Sequence, residues 1–334
     1  MIELRDVRHR YGDRVVLDLP AFALPAGGRV AIVGHNGAGK STLLRLLALL
    51  EPPTEGAVLL DGRAVRGRGA ARARRRVTLV EQRPILLRGT VRDNLAFGLA
   101  ARGVRGAARE RAVAGAAERL GVVPLLGRRR TELSDGEVQR VAVARALAAG
   151  PDVLLLDEPA SSADRAAVLA LHDALERERA ERGLTVCLAS HQLEDAYRWS
   201  DDLRTLADGR LSPVTPENLF RVSLPADGAD GVKHARVGRT EIAVLTERTG
   251  HAILAVAPTD ILVSADPLAT SARNQLSGHV SRVARVRPGE GVHVTADVGV
   301  ELTAVVTEEA VRELALAPGR TVVYTFKASA VRVF

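Results

Sequence analysis

The sequence predicts an α/β domain built on a parallel sheet, followed by a small β-barrel. Three observations predict it. An apolar run, Arg29-Val30-Ala31-Ile32-Val33, leads through Gly34-His35-Asn36-Gly37-Ala38-Gly39-Lys40-Ser41-Thr42 into the helical-looking Leu43-Leu44-Arg45-Leu46-Leu47. A second run, Val153-Leu154-Leu155-Leu156, ends in Asp157-Glu158-Pro159, as a buried parallel strand does when it delivers carboxylates to the crevice at its C-terminal end. After Leu211 the chain changes to short β-branched segments separated by glycine and proline, the pattern of a small barrel.

The strand, glycine loop and helix around residue 37 have the spacing of a phosphate-binding loop. Glycines let backbone N–H groups converge on phosphate oxygens, and the helix N-terminus adds positive dipole. Lys40 then reaches the β- and γ-phosphates, and the Ser41 hydroxyl ligates Mg²⁺. A plain glycine turn opening a helix would need no lysine. Lysine occurs only at positions 40, 233 and 327, and one of the three stands where a point-charge ammonium is wanted. Asp157 suits a second Mg²⁺ contact, and Glu158 suits the base that orients an attacking water.

Upstream, Leu133-Ser134-Asp135-Gly136-Glu137-Val138-Gln139-Arg140 precedes the alanine-rich Val141-Ala142-Val143-Ala144-Arg145-Ala146-Leu147. Ser134 reads as an N-cap, with Glu137 completing a capping box. The stretch also resembles the signature sequence of the ATP-binding cassette (ABC) family, and other residues extend the resemblance in family order. Tyr11, in Tyr11-Gly12-Asp13, resembles the aromatic that stacks on adenine. Gln82 resembles the glutamine-loop residue near Mg²⁺, Asp164 the dimer-contact aspartate, and His191 the switch histidine at the γ-phosphate. The resemblance implies a P-loop NTPase cassette, a RecA-like core with a helical subdomain. It also implies ATP and Mg²⁺ as cofactors, with ATP held by Tyr11, Gly34, Asn36, Gly37, Ala38, Gly39, Lys40, Ser41 and Thr42, and Mg²⁺ by Ser41, Gln82 and Asp157. Lys40, Gln82, Glu158 and His191 are the expected catalytic set. Two cassettes would close head to tail, Ser134, Gly136 and Glu137 of one meeting the nucleotide of the other. Asp135 departs from the family's first signature glycine and sets a carboxylate against a polyanion.

Composition bounds the function. No apolar run reaches the roughly 18–20 residues needed to span a bilayer, so transport would require a separate permease. The segment from about 84 to 130, with Leu86, Leu87, Val91, Leu95, Phe97 and Leu99, reads either as its docking surface or as internal core. Met1-Ile2-Glu3-Leu4 has no charged leader before an apolar core, so no secretion signal is expected. The single cysteine, Cys187, excludes an internal disulfide and fits a reducing compartment. The net charge of +7 and the run Arg63, Arg66, Arg68, Arg72, Arg74, Arg75 and Arg76 invite a nucleic-acid reading. With only 3% aromatic residues and no interleaved stacking groups, a solvated face toward anionic lipid is preferred and no nucleic-acid partner is expected.

The expected organisation is a cassette over 1–215, a linker over 216–231 and a β-rich region over 232–334. The β-type runs are Glu241 to Leu245, Ala252 to Val256, Val280 to Val286, Val292 to Val294, Leu302 to Val306 and Thr321 to Phe326, with one helix capped by Thr307. The region 232–334 is TOBE-like, and within it residues from about 271 to 334 resemble the molybdate-binding Mop module, of oligonucleotide-fold (OB) type, through Ser271-Ala272-Arg273-Asn274-Gln275-Leu276-Ser277-Gly278 and Phe326-Lys327-Ala328-Ser329-Ala330-Val331. An oxyanion wants donors from Ser271, Arg273, Asn274, Lys327 and Ser329. The bland alternative is a structural barrel whose basic residues pair with Glu301 or Asp297. Together the halves resemble molybdate/tungstate importer ATPases: a cytoplasmic homodimer at the inner membrane face, serving a permease and an extracytoplasmic solute-binding protein. Alternatives are an importer of sulfate, sugar or polyamine, or a cytosolic cassette ATPase without a transport role.

Overall fold

The computed structural model describes residues 1–160, 165–212, 217–228, 231–285 and 291–334. It divides into two compact units, Met1–Leu211 and Ser212–Phe334.

The first unit carries a six-stranded sheet. Its order is Arg210–Leu211, Asp202–Ala207, Arg29–Val33, Thr185–Ser190, Val153–Asp157 and Val77–Val80. All neighbours are parallel except the short edge strand Arg210–Leu211. The strands Val153–Asp157 and Thr185–Ser190 are buried at every position, which is why their sequences read as unbroken apolar runs. A second, antiparallel sheet pairs Arg14–Leu24, Ile2–Tyr11, Glu55–Leu60 and Arg63–Ala64. The helix Lys40–Leu47 shares one apolar core with both sheets, through Leu43, Leu44 and Leu46. A further core gathers the helices Val91–Ala101, Gly106–Arg119 and Asp135–Ala148 around Leu95, Val113, Val141 and Leu154. That divides the ambiguous apolar set of residues 84–130. Val91, Leu95 and Leu99 are core, whereas Leu87 and Phe97 are exposed together with Ile85. Among the described residues, no helix is long and apolar enough to cross a membrane.

Among the described residues, every strand pairing of the second unit is antiparallel; its helix Glu308–Glu313 is capped by Thr307, which accepts from the Ala310 N–H at 3.1 Å. Its five-stranded sheet runs Leu262–Ser264, Thr321–Phe326, Asn274–Arg285, Val292–Asp297 and Glu301–Val306. The sheet curls so that its two edge strands approach without pairing, an open barrel. Two expectations are corrected here. The stretch 216–231 is not simply a linker, because Asn218–Leu224 is a strand paired residue for residue with Gly250–Val256. The strand expected to begin at Val280 begins at Asn274 and runs to Arg285, while Val286 lies outside the described residues. A hairpin of Val232–Val237 with Thr240–Leu245 completes the unit, and one core, including Ile242, Leu254, Val294 and Tyr324, fills it.

Candidate functional site

The carboxyl ends of the parallel strands point to a cleft of about 530 Å³. Tyr11, Asn36, Gly37, Gly39, Lys40, Ser41, Thr42, Gln82, Asp157 and Glu158 all line it, although they come from four separate stretches of chain. The loop glycines have different reasons for being there. Gly37 (φ 82°) faces open space, where a bound group can approach the backbone. At Gly34 a Cβ would collide with the Leu206 carbonyl oxygen, and at Gly39 (φ 104°) it would press on Leu17 and Val16. Gly34 and Ala38 do not line the cleft; Ala38 is buried and its carbonyl accepts from the Gly209 N–H at 3.0 Å.

Lys40 is buried, and its Nζ donates to the Gly34 carbonyl at 2.7 Å and the His35 carbonyl at 3.3 Å. The same nitrogen lies 3.8 Å from Glu158 Oε1. Asp157 closes its strand with its carboxyl buried. Burial pushes that carboxyl above the usual range, while a hydrogen bond from Ser41 pulls it back in part. Glu158 is also buried and holds a left-handed backbone, φ 50°. Its amide donates to the Ala189 carbonyl at 2.9 Å, and its Oε2 lies 2.7 Å from His191 Nδ1. The two residues come from the ends of adjacent strands, so the sheet itself sets their separation. His191 does not line the cleft but reaches it through Glu158.

Tyr11 ends the strand Ile2–Tyr11, with its ring edge-on to His9 and its hydroxyl donating to Glu51 Oε1 at 2.6 Å. Burial, and then the Glu51 carboxylate, hold that hydroxyl protonated above the usual tyrosine range. Sequence reasoning missed Arg14 and Val16, which line the cleft beside Tyr11, and Glu51, which anchors it. Their only signal was proximity in the hairpin or to the loop helix.

Ser134 caps the helix Asp135–Ala148. The Glu137 N–H donates to Ser134 Oγ at 3.3 Å, and the Ser134 N–H donates to Glu137 Oε2 at 2.8 Å. This second bond holds the Glu137 carboxyl below the usual range. Glu137 is thereby committed within its own helix turn, while Ser134 and Asp135 are exposed. Asp164 lies outside the described residues.

In the second unit, Asn274 pairs with Phe326 across neighbouring strands, and Arg273 and Lys327 are the residues next in sequence beyond that last pair. Both are exposed or partly so, as are Ser271 and Ser329. Asn274 departs from the expected donor role. It is buried, its Nδ2 donates to the Ala243 carbonyl at 2.9 Å, and its Oδ1 accepts the Ala243 N–H at 2.7 Å. The amide is spent on clamping the strand Thr240–Leu245.

Comparison with known proteins places both units. Residues 17–161 match the family described as ABC transporter, and residues 270–333 match the TOBE domain. The chain is 30% identical over 347 residues to the molybdate/tungstate import ATP-binding protein WtpC of Pyrococcus abyssi, covering 100% of both chains. It is 35% identical over 341 residues to the molybdenum import ATP-binding protein ModC of Mycobacterium tuberculosis, covering 93% of this chain and 92% of that protein. A dimeric solved structure of the ATP-binding cassette MJ0796, in a post-hydrolysis state bound to ADP and Pi, superposes with a TM-score of 0.59 at 27% identity. It covers 64% of this chain and 97% of that one. Nucleotide cassette and β-rich tail both being accounted for, the chain belongs to the ABC transporter family of ATP-binding proteins and carries a TOBE domain.

Proposed function

We propose that this chain is the ATP-hydrolysing subunit of an importer for molybdate- or tungstate-type oxyanions, working as a homodimer beneath separate permease subunits and an extracytoplasmic solute-binding protein. The observation that carries the reading is the convergence of Lys40, Ser41, Asp157 and Glu158 on one cleft, with His191 bonded to Glu158. The full-length relatedness to import ATP-binding proteins supports the transport role.

The geometry supports a role for each residue. Gly37 and its neighbours offer backbone N–H groups to the phosphates, Lys40 supplies a positive charge toward them, and Tyr11 offers its ring to the base. Ser41, Gln82 and Asp157 present hydroxyl, amide and carboxylate oxygens on one cleft, the hard donor set that suits Mg²⁺. Bound there, the ion would neutralise phosphate charge. The Glu158 carboxylate accepts a proton from water attacking the γ-phosphorus, and His191 fixes which oxygen is free to do so. Ser134 and Gly136 meet the nucleotide of a second cassette, with Asp164 at the same contact. The exposed Ile85, Leu87 and Phe97 form the apolar surface for the permease. The chain works at the cytoplasmic face of the membrane, with the cassette over 1–215 and the oxyanion module over 271–334.

Arg273 and Lys327, each one residue beyond the last pair of those two strands, are the charged donors for a tetrahedral dianion. Oxyanion held there would keep the cassettes apart and slow turnover. The Asn274 clamp favours a second reading, in which the tail is structural and the solute is sulfate, a sugar or a polyamine. Calorimetric titration of the purified chain with molybdate, tungstate and sulfate, followed by ATP turnover with each, separates the two. Selective binding of the heavier oxyanions, with slowing abolished by Arg273→Ala, is expected. No binding and unchanged turnover would move the second reading to first place.

A further inference from the structure

Asp135 stands where the family signature has glycine, at the first position of the helix Asp135–Ala148. The first-turn amides of a helix point out of its end and favour an anion, and a carboxylate among them opposes one. The Asp135 side chain is 84% exposed, so protein packing does not turn it away from whatever meets this helix end. Arg130 answers it. Its Nη2 lies 3.1 Å from Asp135 Oδ1, and its Nη1 donates to the Leu133 carbonyl at 3.2 Å. The guanidinium is therefore held at two points, across the bend that joins Arg130–Glu132 to the helix. Both side chains line a cleft of about 340 Å³ with Gln82, Arg83 and Gln139, so the pair faces the glutamine loop of its own cassette.

We infer that Arg130 is a positioning residue which offsets the Asp135 carboxylate when the signature of one cassette closes on the γ-phosphate held by another. The inference rests on the two-cassette reading above. In the open chain the pair is exposed and contributes little. On closure, water leaves, the carboxylate–phosphate repulsion grows, and so does the attraction of Arg130 for both anions. Arg130 and Asp135 thus act as a unit: the aspartate is tolerable only with the arginine, and the arginine matters chiefly because of the aspartate.

A double-mutant cycle tests this in the full-length protein carrying Glu158→Gln, with ATP-driven dimerisation read by sedimentation. Arg130→Ala should weaken the dimer about tenfold, on the scale measured for close charge pairs at interfaces. Asp135→Gly should change it by less than about threefold, and adding Arg130→Ala to Asp135→Gly should cost no more than about threefold further. Arg130→Lys, which keeps the charge, should retain most of the affinity. If Arg130→Ala costs the same whether Asp135 is kept or replaced, or costs nothing at all, the inference alone is overturned. A native chain that hydrolyses ATP while its Glu158→Gln form never dimerises with ATP would overturn the two-cassette reading, and the inference with it.

Discussion

Glu158 is a buried, non-glycine residue with φ 50°, a backbone state that costs on the order of 1–3 kcal/mol and persists only where the surroundings fix it. Here the Ala189 carbonyl and His191 fix it at both ends, so the carboxylate is aimed before any substrate arrives. Replacing it by Gln keeps the shape and removes the proposed proton acceptor. Glu158→Gln should lower turnover by about 10²–10⁴-fold while ATP binding persists; turnover within about tenfold of the native rate would place the base elsewhere. Asp157 makes a complementary case. Its folded-state pKa is raised, chiefly by burial, so the stability this one group contributes is fully present below the unfolded carboxylate pKa and is lost as pH rises through the folded value. Asp157→Asn should therefore stabilise the cassette by about 1 kcal/mol at pH 7.5, a gain that shrinks by pH 4, while ATP turnover is lost. Urea unfolding at the two pH values, beside a turnover assay, checks both halves.

The β-rich unit shows how one side chain can decide the standing of an element. Asn274 accepts from and donates to the backbone of Ala243, fastening the hairpin strand Thr240–Leu245 to the start of Asn274–Arg285. Asn274→Ala leaves a buried N–H and C=O unpaired and should cost about 2–4 kcal/mol of stability in that unit. A variant of native stability that has lost oxyanion binding would instead return Asn274 to the role its sequence context suggests. The same element marks where sequence reading runs out. The strand Arg29–Val33, the loop helix and the strand Val153–Asp157 were legible because each couples an apolar period to punctuation with one chemical purpose. Val232–Val237 was not, because Lys233 takes a buried position beside Ala235 and Val237, His234 and Arg236 take the exposed face, and only its pairing makes it a strand. Nor could Asn274 be told from a ligand donor, since its partner is a main chain 31 residues away.

At the scale of the whole chain, each unit has apolar clusters of its own among the described residues, those of the cassette ending at Leu211 and that of the β unit beginning at Phe220. Thermal unfolding should accordingly resolve two transitions, and saturating Mg-ATP should raise only one, by about 2.7 kcal/mol at a hundredfold excess over Kd. A single transition moved as a whole by nucleotide would refute that expectation. Most of the cleft's lining was legible at the same scale because its motifs lie in family order. Arg14 and Arg130 were not, since a lone arginine carries no signal in a chain with 47 basic residues. Cys187, finally, sits fully buried at the middle of the parallel sheet, paired with Val30 on one side and Leu155 on the other. Burial pushes its thiol far up, so a thiol reagent can reach it only through an opened sheet. As the sole sulfhydryl in the chain, it is a ready-made clock for how often the ATPase core comes apart, needing no engineered label and free of any background.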